Sequence, residues 1–143
     1  MSAFDEPRSG GIPIVIRELN VYKPIIAAID GYCLAGGLEL AIQCDIRIAT
    51  APSQFGFPNA RWNLMPPRDL VQMTARGEAL YILLTGSRID SDTAFRNGII
   101  HSIHSDRESL MEEANRIAGD VRMCGPLAIQ ATKRLLRLEE ELS

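Results

Sequence analysis

No apolar run in this chain is long enough to form a helical membrane span. An excess of positive charge is also missing. The 15 Lys and Arg residues are outnumbered by 18 Asp and Glu, for a formal charge of −3. The basic residues are scattered, without a basic block or an aromatic platform, so nucleic acid is not an expected partner. Cysteine is scarce: Cys33, Cys44 and Cys124 are widely spaced, odd in number and set among apolar residues. That excludes a disulfide framework and predicts buried thiols in a reducing compartment. Residues 1–11, "MSAFDEPRSGG", have neither the apolar core of a secretory signal nor the Arg-rich pattern of a transit peptide. A cytoplasmic location is the default. His101 and His104 are three apart in an extended-looking segment, where their side chains point to opposite faces, and no metal site is expected.

With 143 residues the chain has room for one modest domain. Residues 1–11 read as a polar lead-in, and 12–22, "IPIVIRELNVY", leave helix and strand open. "PIIAAID" (24–30) suits a strand covered on both faces, and Gly31 ends it. A helix is predicted from Gly36 to about Gln43, then a strand over 45–50, with Ile46 and Ile48 on one face and Arg47 and Ala49 on the other. Residues 51–69 read as loop, with Pro66 and Pro67 excluding regular structure there. One helix is predicted from Leu70 to Thr85–Gly86, and a short one over 90–98, capped by Asp90 or Ser91 and stopped by Gly98. Residues 99–103 look extended. Two helices close the chain. Leu110, Ala114, Ile117 and Val121 form the apolar stripe of the first, and Ala128, Ala131, Leu135 and Leu138 that of the second. Strand, glycine turn, helix and strand in short order predict an α/β unit. The odd feature is how few strands serve so much helix.

The chemistry concentrates in "GYCLAGGLELAIQCD", 31–45. A helix N-terminus leaves backbone N–H groups unpaired in a positive field. Glycines at 36 and 37 let a ligand come close to that backbone. An oxygen developing negative charge would find a donor there. Glu39 lies about one turn on, on roughly the same face, where a carboxyl group can exchange a proton. The same residues also suit a tightly packed helix start followed by a half-exposed glutamate. Spacing leaves both readings open.

The stretch 23–67, "KPIIAAIDGYCLAGGLELAIQCDIRIATAPSQFGFPNARWNLMPP", resembles the signature region of the enoyl-CoA hydratase/isomerase (crotonase) superfamily. The likeness continues through "LLTGSRIDSDTAFRNGIIHSI" (83–103) to "GPLAIQATKRLL" (125–136), in the same order. The resemblance implies an α/β fold, a crotonase-like spiral of ββα units, with its core over 23–103 and a C-terminal helical region over 107–140. It implies no permanently bound cofactor. The implied substrate is a coenzyme A thioester whose carbonyl is held by two backbone N–H groups as an enolate forms. One of those donors falls on Gly36, flanked by Ala35 and Gly37, and one catalytic glutamate falls on Glu39. Asp45 matches a structural aspartate. Lys133 matches a lysine near the CoA phosphates or adenine, with a solvated helix lysine as the plain alternative. Homotrimers or hexamers are the usual assemblies.

Three departures from the family pattern shape the expected function. The second catalytic glutamate follows "FGxP" in the family, whereas "FGFP" is followed here by Asn59, which positions water but does not exchange protons. The glycine-rich turn becomes "MPPRDL" (65–70), so Pro66, Arg68 and nearby Trp62 would reshape the acyl pocket, with core packing as the alternative for Trp62 and plain surface exposure for Arg68. Finally, the chain reads as an N-terminally truncated domain over 12–143. The early ββα units and the first oxyanion donor would come from elsewhere, for instance a separate N-terminal half. Losing one such donor costs about 3–4 kcal/mol of transition-state stabilisation. The leading expectation is hydration of a 2-enoyl-CoA. Isomerisation, thioester hydrolysis or decarboxylation on the same fold stands beside it, as does a catalytically degenerate assembly subunit.

Overall fold

The computed structural model describes residues 8–9, 16, 20–65 and 69–142. Its strands are β1 (Arg8–Ser9), β2 (Ile26–Ile29), β3 (Tyr32–Leu34), β4 (Ile46–Thr50), β5 (Gln54–Gly56), β6 (Leu64–Met65), β7 (Ile89–Asp90) and β8 (Ser102–His104). Its helices are α1 (Gly36–Gln43), α2 (Asp69–Met73), α3 (Arg76–Thr85), α4 (Ser91–Arg96), α5 (Arg107–Arg122) and α6 (Pro126–Leu142). A 3-10 helix covers Pro58–Trp62. Most of the lead-in and most of 12–22 lie outside the described residues, as do Pro66 and Arg68.

Two three-stranded sheets carry the site, in the orders β2-β4-β8 and β3-β5-β7. The chain lays one strand in each sheet and turns a corner between them. β2 pairs parallel with β4, Ile26 opposite Ile46, and β3 pairs parallel with β5, Tyr32 opposite Gln54. At the first corner Gly31 has φ 109°, a conformation that glycine adopts without steric cost. The second corner is stitched to it. Gly31 N–H donates to Ser53 Oγ (3.0 Å), and Thr50 Oγ1 donates to Asp30 Oδ1 (3.0 Å). Ser91 Oγ in turn donates to the Thr50 and Ser53 carbonyls, so these buried hydroxyls are satisfied.

β4 shows how the sequence alternation becomes two cores. Ile48 is fully buried against Leu110, Ala114 and Ile117 of α5, with Ile46 packed alongside. Ala49, on the opposite face, belongs to the main core with Leu38, Ala41, Ile42, Phe55, Phe57 and Leu70. The Arg47 guanidinium caps this face, donating to the carbonyls of Ile99 (2.7 Å) and Cys44 (2.6 Å).

Several expectations need correction. The glycine turn contains a strand, β3, and the loop over 51–69 contains β5, β6 and the 3-10 helix. Each of these strands has three residues or fewer, too short for a period to show, and is held by distant partners. The single helix over 70–85 is two. Ala75 is extended at φ −58°, ψ 139°, after the β-branched Thr74, and the break lets Leu70 and Ile82 enter one core. Only Cys33 is buried; Cys44 is half-buried and Cys124 exposed, all as free thiols. On α6 the expected stripe faces outward: Leu135 and Leu138 are exposed, and the less exposed positions are Ile129, Gln130, Lys133 and Arg137.

Candidate active site

The parallel strands β3 and β5 end side by side, with Leu34 opposite Gly56. Ala35 N–H then donates to the Gly56 carbonyl (2.9 Å), tying the two departing segments together. α1 starts immediately from one strand end and the 3-10 helix, after Phe57, from the other. Ligand sites in α/β sheets favour the carboxyl ends of parallel strands. Ala35, Gly36, Gly37, Glu39 and Asn59 are therefore gathered at one end of one sheet.

Ala35 is the N-cap of α1 at φ 48°, ψ −119°. For a residue with a Cβ this left-handed backbone costs on the order of 1–3 kcal/mol. The first amides of α1 follow this turn directly. The first intrahelical bond of α1 runs from Glu39 N–H to the Ala35 carbonyl (2.9 Å), so the amides of Gly36, Gly37 and Leu38 precede the ladder. Gly36 and Gly37 are exposed, and a Cβ built on either would meet nothing within 4 Å. Tight packing within the described residues does not explain these glycines. They leave the amides open to approach.

Glu39 is half-buried beside this opening. Burial pushes its carboxyl above the ordinary glutamate range, and the negative charge of Asp69, in the first turn of α2, pushes it further. A carboxyl group that keeps its proton longer suits proton transfer to carbon. Asn59 is 6% exposed, and its Oδ1 has no hydrogen-bond partner among the described residues. A buried acceptor left open is costly and is satisfied by a donor brought from outside.

One expected site residue lies elsewhere. Lys133 is at the opposite end of α1, about 12 Å of helix away. Its Nζ donates to the Lys23 carbonyl (2.6 Å) and pairs with Asp45 Oδ2 (2.9 Å), so it is not a solvated lysine. Asp45 also accepts from Ile25 N–H (2.7 Å), a structural position. Trp62 is 67% exposed, which excludes core packing for it. Among the described residues no cluster of three or more His, Cys, Asp or Glu is placed to hold a metal ion. His104 Nε2 instead lies 2.8 Å from Ser102 Oγ. Asp69 escaped the sequence reading because an aspartate after Pro66–Pro67 reads as a helix start. Its effect on Glu39 requires α1 and α2 to meet, which no local pattern reveals.

Residues 8–142 match the model of the enoyl-CoA hydratase/isomerase family. The chain is 36% identical over 115 residues to crotonyl-CoA hydratase of Syntrophomonas wolfei, covering 78% of this chain and 44% of that protein. It is 32% identical over 132 residues to (E)-benzylidenesuccinyl-CoA hydratase of Thauera aromatica, covering 90% and 51%. The crystal structure of carnitinyl-CoA hydratase from Mycobacterium avium superposes with a TM-score of 0.77 at 33% identity, over 81% of this chain and 46% of that one. The chain thus spans about half the length of the curated relatives it matches.

Proposed function

The chain belongs to the enoyl-CoA hydratase/isomerase family, and on that premise we propose that it serves hydration of a 2-enoyl-CoA thioester. The observation that carries this reading is Glu39, half-buried with its carboxyl raised by burial, one turn past the exposed Gly36. The thioester oxygen would take its hydrogen bond from the Gly36 N–H. That contact strengthens as enolate charge develops, which is what lowers a barrier rather than merely aiding binding. Glu39 would deliver the proton to the carbon next to the carbonyl, and Asn59 Oδ1 would accept from the attacking water. Ala35 and Gly37 flank the oxyanion donor. Pro66, Arg68 and the exposed Trp62 are candidates for the acyl wall. Lys133 would act at the CoA end, after exchanging its present partners.

Assembly into a homotrimer or hexamer is part of the same reading, supported by the outward apolar face of α6. A cytoplasmic setting fits the three free thiols, and no helix among the described residues is long and apolar enough to cross a membrane. Asn59, which exchanges no protons, favours one second reading: a single-carboxylate reaction such as double-bond isomerisation.

Crotonyl-CoA tests the proposal through loss of its conjugated thioester absorbance. Hydration is expected, and Glu39→Gln should reduce it at least about a hundredfold, because the amide keeps the shape and loses the proton. Turnover of a 3-enoyl-CoA with none of crotonyl-CoA would replace hydration by isomerisation. Unchanged turnover in the Gln variant would remove Glu39 from the chemistry.

A further inference from the structure

We propose that Asp69 is the second proton-transferring group of this site, taking a proton from the attacking water while Glu39 supplies one to carbon. The inference rests on the hydratase reading. Adding water across a conjugated double bond requires two proton movements, one away from water and one onto carbon. Asn59 performs neither.

The fold brings a second carboxylate to the first. α1 and α2 pack on each other. Leu38 and Leu70 are fully buried in the same core, and each is the sequence neighbour of one of the two acids. Glu39 and Asp69 are thus carried on two helices in contact, each beside a core leucine and each half-buried. The Asp69 charge is felt at Glu39, where it adds to burial in raising the carboxyl. Two carboxyl groups at one site can divide the acid and base roles, and burial weighs first on Glu39, the acid. Asn59 adds an independent sign of a ligand: a buried Oδ1 without a donor among the described residues, in the segment tied to the start of α1 through Gly56 and Ala35.

In the step, the Asp69 carboxylate removes a proton from water, and the water oxygen forms its bond to the β-carbon. The π electrons move into the thioester as an enolate held at the Gly36 N–H. The enolate collapses, and the α-carbon takes the Glu39 proton. The products are the 3-hydroxyacyl thioester, protonated Asp69 and ionised Glu39, and one proton passing from Asp69 to Glu39 restores the start. No electron is gained or lost overall.

An ordinary role for Asp69 is to place negative charge in the first turn of α2, and Asn keeps the shape while losing that charge, a structural loss that would slow every reaction of the site alike. Asp69→Asn therefore separates the two roles. With crotonyl-CoA the variant should hydrate at least about a hundredfold more slowly. With butyryl-CoA in deuterated water, exchange of the α-protons needs Glu39 alone and should stay within a few fold. Glu39→Gln should lose both reactions, and Asp69→Glu should recover much of the hydration. Hydration by Asp69→Asn at the parent rate would overturn the assignment and leave the hydratase reading standing. Equal loss of hydration and exchange in that variant would also overturn it, by making Asp69 structural. Exchange without hydration in the parent chain would overturn both proposals together.

Discussion

At the scale of single residues, Glu39 couples stability to pH with a definite sign. Its carboxyl is raised above the ordinary value of 4.5, first by burial and then by Asp69. The folded chain therefore binds a proton in a window where the unfolded chain has already lost it. The contribution of Glu39 to stability is complete below the unfolded value and falls away as pH rises through the folded one. Glu39→Gln keeps the shape and removes this loss. The difference in Tm between the Gln variant and the parent should become more positive from pH 4 to pH 7, followed by thermal denaturation across that range. A difference that does not change with pH would mean the carboxyl is as well solvated folded as unfolded. Two features of the same site were not legible from residue types. Neither the positive φ of Ala35 nor the open acceptor of Asn59 has a local signature, since both depend on what β3 and β5 place nearby.

At the scale of elements, the long amphipathic segments were legible and the short paired ones were not. α5 follows its apolar stripe, with Asp106 and Ser109 closing a capping box at its start. α4 starts where Asp90 accepts from Thr93 N–H (2.8 Å), as its sequence predicts. β3 and β5 have three residues each and exist because they pair with each other, a condition no window along the chain can see. α1 is legible in position, and the purpose proposed for it rests on how it starts. It turns from glycine to an apolar run at Leu38, and its first two residues pack against nothing. Gly36→Ala tests that purpose. Alanine is a better helix former than glycine, by up to about 1 kcal/mol in a helix interior. The variant should therefore keep or raise the Tm. Its methyl group would stand in the open space that the proposed function gives to the thioester oxygen, so kcat/KM for crotonyl-CoA should fall about tenfold or more, equivalent to about 1.4 kcal/mol. A raised Tm with unchanged kcat/KM would show that the glycine is not kept for a ligand.

At the scale of the whole molecule, α6 is turned over relative to its sequence pattern. Lys133 reaches Asp45, and Tyr22 stacks with Arg134 and Arg137, so polar contacts hold the helix to the body. Its leucines face away: Leu135, Leu138 and Leu142 are 64%, 54% and 87% exposed at spacings that place them on one face. Burying a leucine side chain fully is worth about 1.5–3 kcal/mol, so a stripe of this kind is a costly surface to leave in water. A second copy offers the same stripe in return, and two such faces meet self-complementarily about a twofold axis. The native chain should therefore sediment well above its 15.8 kDa at micromolar concentration. Replacing Leu135 and Leu138 together by Gln should bring it to the monomer mass with its helical circular dichroism intact, because neither side chain supports the fold from inside. A parent chain that sediments as a monomer, or a double variant that stays associated, would remove α6 from the interface.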